Sequence, residues 1–420
     1  MIGGGYTGLW TAYYLRKADP SLRVAVLESE FAGFGASGRN GGWVTAALPG
    51  SRAIYARNGS VEDLEAALRE TVDEVGRVCE AEGISADYVK GGSLSVATSG
   101  PQDGRLRVSP PDEVRLSASE LSERLRIAGA HGAVFTPHCA RIQPAALVSG
   151  LAAAVERLGA VIYEDSRVIS VSPGVARTAH GEVRAPHVLR CIEGFTAQFP
   201  GQHRTLLPMN SAMIVTAPLP DSAWDSIGWS GCETLGDEAH AYMYAQRTVD
   251  RRIAIGGRGI PYRFGSGVDS RGAVAASTVA SLRSVLVRMF PSVASVAIDH
   301  AWCGVLGVPR DWCASVSFNS STGLGWAGGY TGHGVAASNL AGRTLADLVR
   351  GVASPLVSLP WVNHRWRQWE PEPLRWAGVH GLYAAYRFSD RLEADGQPAS
   401  RVATGRLIGR AGDFVSGIPH

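Results

Sequence analysis

The sequence predicts a mixed α/β fold in which a Rossmann-like domain is interleaved with a second domain built on an antiparallel sheet. Three observations support this fold class: a glycine-rich turn at residues 3–8, a second strand-to-helix glycine turn at 325–335, and a strand-rich segment at 205–300 between them. Strands and helices that alternate around glycine turns are typical of doubly wound domains. Because the two turns lie near opposite ends of the chain, the Rossmann-like domain must be assembled from separated segments.

The first turn has the spacing Gly-x-Gly-x-x-Gly, at Gly3, Gly5 and Gly8, and leads into a helix predicted over residues 6–18. Glycines at these places allow a tight bend, close approach of the backbone to a pyrophosphate, and close packing of helix on sheet. The next predicted strand ends in Glu28, where an acidic side chain accepts hydrogen bonds from a ribose hydroxyl. These features together predict a dinucleotide site. The alternative, a Gly-rich turn before an amphipathic helix, leaves Glu28 unexplained.

Almost no strand precedes this turn, so the sequence predicts a truncated first strand. The first strand is normally the centre of such a sheet, and its loss would expose the edges of its neighbours. Two explanations stand: the coding sequence begins upstream of Met1, or the chain has lost the site. The intact pattern after the turn favours the first explanation.

The composition is that of an ordinary globular protein without an excess of one charge. The chain has 420 residues, 45% of them hydrophobic and 19% charged, and a formal net charge of +2. This balance predicts neither a nucleic-acid nor a membrane partner. The only lysines are Lys17 and Lys90, so few lysines are available as a base or Schiff-base former.

The six cysteines have no C-x-x-C pairing, and we expect no metal site and no disulfides. Neither a signal peptide nor an apolar stretch long enough to span a bilayer is recognised. Together these features predict a soluble, cytoplasmic protein with reduced cysteines.

Changes in the helical and strand patterns along the chain suggest five segments and a C-terminal tail. Helical and strand patterns typical of the Rossmann-like domain return after residue 135, and residues 51–134 and 205–300 differ from them. The predicted bounds are 1–50, 135–205 and 305–350 for the nucleotide-binding domain, 51–134 and 206–304 for the substrate domain, and 351–420 for a partly helical tail.

Several longer motifs carry a resemblance to a known family. They are GGGYTGLWTAYYL (3–15), GFGASGRNGG (33–42), EGFTAQFPG (193–201), IAIGGRG (253–259) and GGYTGHGVAASNLAG (328–342). With them the chain resembles the FAD-dependent amine and amino-acid oxidoreductases of the D-amino-acid oxidase superfamily, most closely the gamma-glutamylputrescine oxidase-like branch. The resemblance implies FAD as cofactor, a small amine or amino acid as substrate, and oxidation of its C–N bond to an imine. Molecular oxygen is the implied electron acceptor.

The same resemblance implies which residues bind the adenosine half of FAD. The pyrophosphate would lie against Gly3, Gly5 and Gly8, at the positive end of the first helix. Glu28 would bind the ribose, and the backbone of Val168 would face the adenine. An ordinary buried valine in a strand remains an alternative for Val168.

Toward the flavin, the resemblance implies two groups of cofactor-binding residues. Along the ribityl chain and the ring, these are Ser37, Arg39, Asn40 and Gly41, although a solvated turn would account equally for Arg39. At the pyrimidine end, backbone donors would come from Gly332, His333, Gly334 and Val335. Free donors there stabilise negative charge on the reduced ring.

On the substrate side, the resemblance places Tyr244 and Arg258 over the flavin as candidate catalytic residues. An arginine there could bind a carboxylate bidentately, but a surface arginine and a tyrosine in the pocket wall are the alternatives. Cys303 lies six residues before Pro309, as does the flavin-linked cysteine of sarcosine oxidases, whereas closer relatives have a small unattached residue. Cys303 is therefore a candidate covalent attachment point.

Two other functions remain open from the sequence. One is a biosynthetic tailoring flavoenzyme that acts on an unusual amine. The other is a degenerate homologue with a lost FAD site, kept for a partner interaction, which the absent first strand would support. The sequence indicates no oligomeric state.

Overall fold

The computed structural model describes residues 1–109, 112–257, 262–268 and 271–417. The α-helices within these ranges are α1 (Tyr6–Ala18), α2 (Ala36–Arg39), α3 (Arg52–Tyr55), α4 (Val61–Glu82), α5 (Gly100–Asp103), α6 (Ala118–Arg124), α7 (Pro144–Arg157), α8 (Asp221–Ile227), α9 (Ala276–Met289), α10 (Gly334–Arg350), α11 (Leu374–Leu392) and α12 (Ala399–Ser416).

The strands within the same ranges are β1 (Ala25–Leu27), β2 (Trp43–Thr45), β3 (Ser93–Ala97), β4 (Val114–Ser117), β5 (Gly132–Thr136), β6 (Cys139–Arg141), β7 (Val161–Tyr163), β8 (Val168–Ser172), β9 (Val175–Thr178), β10 (Gly181–Arg184), β11 (Val188–Arg190), β12 (Leu207–Thr216), β13 (Thr234–Asp237), β14 (Met243–Arg247), β15 (Ile253–Gly257), β16 (Ile298–Val308), β17 (Ser315–Asn319) and β18 (Leu324–Gly328).

Ile2 lies at the centre of the parallel sheet, between β1 and β11. β1 pairs in parallel with β7, and β11 pairs in parallel with β18. Ile2 joins the two pairs through parallel bridges to Leu27 of β1 and to Arg190 of β11. The Ile2 N–H donates to the Leu189 carbonyl at 2.8 Å, and the Gly3 N–H donates to the Leu27 carbonyl at 2.8 Å. The predicted Rossmann-like fold is thus confirmed.

The second large element is an eight-stranded sheet in the order β16-β12-β15-β14-β13-β3-β5-β4, in which every neighbour is antiparallel except the pair β13 and β3. One face packs on α6, α8 and α9 through a core that includes Ile214, Ile255, Leu286 and Phe290. Side chains alternate between the two faces of a strand, so the neighbouring residues Met213, Ala254 and Gly256 lie on the opposite face. That opposite face is the one directed at the Rossmann-like domain.

Helices α1 and α10, one after each glycine turn, pack directly against each other. A Cβ at Gly342 of α10 would lie 2.7 Å from the Cβ of Trp10, so only glycine allows this approach. Trp10 is fully buried in the core between α1 and α7. This packing holds the two turns side by side at one end of the parallel sheet.

The C-terminal segment crosses the molecule before it forms α11 and α12. His364 anchors it, since its Nε2 lies 2.7 Å from Asp311 Oδ2. Asp311, Cys313 and His364 place possible metal ligands within 4.8 Å of one another, although the imidazole and the carboxylate are already hydrogen-bonded to each other. In the part of the chain that the structure describes, no helix is both long and apolar enough to cross a membrane.

Candidate functional site

A cavity of about 790 Å³ lies where the two glycine turns meet the eight-stranded sheet, a size typical of cofactor and ligand sites. Its walls come from β1, α2, β8 and β16, from the residues that follow β11, and from both turns. The predicted site residues that line it are Gly3, Gly5, Glu28, Ser37, Asn40, Val168, Gly332, Gly334 and Val335. The fold therefore brings together residues that are separated by more than 300 positions in the chain.

The first turn has the shape of a phosphate cradle. Gly3 has a φ of 102°, and a Cβ there would lie 2.5 Å from the Cys191 carbonyl oxygen. A Cβ at Gly8 would overlap the Gly3 carbonyl, so the two glycines are needed for the helix to approach the sheet. α1 has no acidic residue in its first turn, and its Gly5 N-cap carries no side-chain cap. The positive end of the helix therefore faces the cavity, as a bound pyrophosphate requires.

Glu28 and Val168 lie beside this turn. Glu28 Oε2 accepts the Gly4 N–H at 2.6 Å, and Oε1 accepts the Glu30 N–H at 3.1 Å. Both bonds keep the carboxylate at the end of β1, on the cavity wall. Val168 is buried at the start of β8 and lines the same wall. This end of the cavity thus combines an acceptor for hydroxyl groups with an apolar surface.

The segment after α1 and β1 contributes Ser37 and Asn40 but directs Arg39 elsewhere. Ser37 Oγ accepts the Tyr6 N–H at 2.8 Å, and Asn40 Oδ1 accepts the Gly42 N–H at 2.8 Å. Arg39 stacks over the Phe34 ring at 4.5 Å and donates to the Cys303 carbonyl at 3.4 Å. Arg39 is not among the lining residues, because these contacts direct its guanidinium away from the cavity.

In the second turn, only some of the residues predicted to supply backbone donors line the cavity. Gly334 and Val335 are the first residues of α10, and their N–H groups have no acceptor within the helix. The N–H of His333 instead donates to the Tyr330 carbonyl at 2.9 Å. That donor is therefore used within the turn, and His333 is not among the lining residues. Gly332 has a φ of 109°, which only glycine adopts without strain.

Of the three residues predicted near the flavin from the sheet, Tyr244 lies on the side that faces the Rossmann-like domain. Its hydroxyl lies 2.7 Å from Ser211 Oγ, and a Cβ at Gly41 would lie 2.8 Å from its ring. Cys303 lies on the opposite face, where its buried side chain joins the core around Ala212 and Leu282. Its sulfur therefore does not reach the cavity, contrary to its prediction as an attachment point. Arg258 lies outside the described residues.

Glu193 is an acidic residue at this site whose carboxyl group is buried and whose role the sequence did not predict. It follows β11, and its Oε1 accepts the Tyr330 N–H at 3.0 Å. Oε2 has no hydrogen-bond partner among the described residues. Burial raises the pKa of this carboxyl to about 7, although the nearby backbone N–H groups of Tyr330, Gly329 and Gly307 oppose the shift. The motif 193–201 indicated the segment, but nothing local showed that its carboxyl would support the second turn.

A second unpredicted contact ties the two turns together. Thr7 Oγ1 on α1 lies 3.0 Å from the Tyr330 hydroxyl, and both groups are buried. Tyr330 lines the cavity between the two helix N-termini. Its position within the second glycine motif was the available signal, but the partner on α1 could not be read from the sequence.

Comparison with known proteins agrees with this geometry. A family described as FAD dependent oxidoreductase matches residues 1–348. The gamma-glutamylputrescine oxidoreductase of Escherichia coli is 29% identical over 84% of this chain and 83% of its own. A probable oxidoreductase, OrdL, of Rhizobium meliloti is 28% identical over 85% and 83% of the two chains.

Among solved structures, the fold is similar to that of glycine oxidase from Geobacillus kaustophilus. The TM-score is 0.70 at 22% identity, over 86% of this chain and 97% of the other. At that identity, the likeness establishes the fold alone. The family match covers most of the chain, and the cavity has the glycine cradle and helix ends that FAD requires. The chain therefore belongs to the FAD-dependent oxidoreductase family known as DAO, and it is a flavoenzyme.

Proposed function

We propose that this enzyme oxidises the C–N bond of an amine or amino acid to an imine, with molecular oxygen as the final electron acceptor. The observation that carries the proposal is the cavity that brings both glycine turns together with strand β16 of the eight-stranded sheet. The names of its relatives, a gamma-glutamylputrescine oxidoreductase and a glycine oxidase, support this substrate class.

In this proposal, the residues of the cavity divide into cofactor binding and substrate positioning. Gly3, Gly5 and the N-terminus of α1 bind the pyrophosphate, and Glu28 binds the ribose. The free N–H groups of Gly334 and Val335 stabilise negative charge at the far end of the cavity. FAD, when bound, would accept the hydride, which is chemistry that protein side chains cannot perform.

The chain's own part in the reaction is to orient the amine and to exclude water. Tyr244, whose hydroxyl lies 2.7 Å from Ser211 Oγ, stays a proposed catalytic residue, although it is not among the residues that line the cavity. Arg258 follows β15 in the sequence and stays a proposed carboxylate ligand. A cytoplasmic location is also proposed, supported by the six cysteines, none of which forms a disulfide.

Two measurements test the function. The visible spectrum of the purified protein, repeated on the supernatant after acid precipitation, is expected to show flavin that is released without covalent attachment.

A panel of amines and amino acids is then screened for production of hydrogen peroxide and, in parallel, for reduction of an artificial dye. Dye reduction without peroxide would exclude oxygen as acceptor, and the absence of both with every amine would contradict the proposed substrate class.

The pH dependence provides a further check. A substrate amine must be neutral to donate a hydride, so activity is expected to rise with pH through the apparent pKa of the amine. Activity that is flat or falls over this range would contradict oxidation at the C–N bond.

A further inference from the structure

The C-terminal helices α11 and α12 lie beyond residues 1–348, the part of the chain that the family covers. Three glycines of α12 form the side that packs inward. A Cβ at Gly405 would lie 2.9 Å from Glu393 Cγ, and one at Gly412 would lie 2.7 Å from the Tyr386 ring. At Gly409 a Cβ would overlap the His240 ring. The small residues therefore let α12 approach both α11 and the body of the protein closely, with one defined face outward.

The outward face of α12 is apolar. Leu407 is 70% exposed and Phe414 is 89% exposed, and Ala411 is exposed between them. The spacing 407, 411 and 414 places these side chains on one side of a helix. Val415 adds a further exposed side chain near the end of α12. Large apolar groups that align on one exposed helix face are typical of a contact surface.

The exposed charge on the two helices is positive. Arg391, Arg401, Arg406 and Arg410 are exposed, and none of the four has an ion-pair partner among the described residues. The acidic groups are engaged elsewhere: Asp390 accepts the His240 N–H at 2.9 Å, and Asp413 accepts the Tyr386 hydroxyl at 2.7 Å. Glu393 pairs with Arg105, and Asp395 lies 2.7 Å from His131. The formal charge of +2 for the whole chain therefore hides a basic local surface.

The combination of aligned apolar side chains and arginines restricts the partner. In a two-fold contact with a second copy, this face would bring the same unpaired arginines together, which like-charge repulsion opposes. An anionic bilayer satisfies both features, since arginines attract its headgroups while Leu407 and Phe414 enter the interface. We propose that the outer face of α12 binds the surface of membranes that contain anionic phospholipid. This contact is peripheral and is independent of the proposed reaction.

The test is sedimentation of the full-length, FAD-loaded protein with two kinds of vesicle. One consists of phosphatidylcholine alone, and in the other part of it is replaced by phosphatidylglycerol. The protein is expected to sediment with the second kind and to be released as salt rises, because the attraction is screened. Equal binding to both vesicles, or binding to neither, would overturn the proposal.

Two double variants assign the contact to α12. Leu407→Ser with Phe414→Ser, and Arg406→Gln with Arg410→Gln, are each expected to reduce the bound fraction at least several-fold. The matched controls, Val114→Ser with Val161→Ser and Arg177→Gln with Arg184→Gln, remove comparable exposed groups elsewhere and should bind as the wild type does. Flavin content and circular dichroism confirm folding of each variant.

The oligomeric state distinguishes membrane binding from the remaining alternative, self-association through α12. If the wild type is a dimer that the change at Leu407 and Phe414 converts to a monomer, α12 is a self-contact and the membrane proposal fails. If the variant with Leu407→Ser and Phe414→Ser does not fold, the variant with Arg406→Gln and Arg410→Gln tests the proposal by itself. It leaves the packing of the glycine face of α12 unchanged. An arginine variant that binds phosphatidylglycerol vesicles like the wild type would overturn the proposal.

Discussion

The two glycine turns look alike in the sequence but are stabilised differently in the structure. In the first, a Cβ at Gly3 or Gly8 would strike backbone atoms of the turn or of the neighbouring strand. In the second, a Cβ at Gly332 would have no neighbour closer than 3.9 Å, although its φ of 109° still favours glycine. Gly3 and Gly8 of the first turn are therefore required by close packing, whereas Gly332 of the second turn is required by its backbone conformation, although Gly329 beside it is also closely packed. Substitutions in the two turns should separate these causes.

The largest effect is expected from Gly8→Ala. The new Cβ would overlap the Gly3 carbonyl, which forces α1 away from the sheet and disrupts the phosphate cradle. FAD affinity should fall by about 100-fold or more, equivalent to about 3 kcal/mol. The measurement is FAD binding by titration of the apoprotein, with circular dichroism to confirm the fold.

Gly4→Ala is the matched control for Gly8→Ala, since its Cβ would lie 3.2 Å from the Glu28 Cβ and requires only a small shift. It should retain most of the affinity. Equal affinity in the two variants would contradict the argument that close packing determines the first turn.

A somewhat smaller effect is expected from Glu28→Ala. This change removes the acceptor of the Gly4 N–H and the proposed ribose ligand. Loss of a charged hydrogen-bonding group costs about 1.5–3 kcal/mol, so FAD affinity should fall by about 10- to 100-fold. Quenching of flavin fluorescence in a titration measures this affinity. Glu28→Gln, which keeps one acceptor oxygen, should lie between Glu28→Ala and the wild type.

Glu193→Gln tests the support of the second turn through pH. Because burial raises the pKa of Glu193 to about 7 from its ordinary 4.5, the folded state holds the proton more tightly than the unfolded state. The resulting stability is fully present below pH 4.5 and is lost as pH rises through 7, by about 1–3 kcal/mol. Glutamine does not titrate, so the variant should lack this loss. Unfolding in urea at several pH values between 4.5 and 8 measures the difference.

Parallel pH profiles for the wild type and Glu193→Gln would show that the carboxyl does not titrate in this range. Glu82→Gln is a suitable control, because the pKa of that carboxyl, near the end of α4, is lowered, in part by a hydrogen bond from Tyr13. It should leave the profile between pH 4.5 and 8 nearly unchanged.

Gly332→Ala should have a weaker effect than Gly8→Ala. There is space for the methyl group, so the cost is backbone strain alone, about 1–2 kcal/mol. FAD affinity is expected to fall by roughly 10-fold. A loss as large as that of Gly8→Ala, in the same titration, would show that the two turns share one cause.

The smallest effect is expected from Cys303→Ala. The side chain of Cys303 lies in the core on the face of β16 opposite the cavity. Flavin should therefore be released by acid to the same extent from this variant and from the wild type. Flavin that stays in the acid pellet only in the wild type would restore the covalent attachment that the sequence suggested.

Much of the fold was predictable from the sequence because its signals are local. Glycines at fixed spacing indicated both turns, and the pattern after the first turn indicated α1, whose observed bounds are those predicted. Ser117 and Glu120 form the cap that begins α6. The sequence does not predict α9, because its residues lie within the segment 205–300, whose pattern predicts strands.

The direction of individual side chains was decided only by the tertiary structure. The sequence by itself determined the two glycine turns, the strand and helix that follow the first, and Glu28, because glycine conformations and hydrophobic patterns act over a few residues. It did not determine that Arg39 donates to the Cys303 carbonyl or that the His333 N–H donates to the Tyr330 carbonyl. Nor did it determine that the carboxyl of Glu193 is buried beside the second turn. Each of these depends on partners distant in the chain, because burial and hydrogen bonding are set by whichever segments the fold brings together.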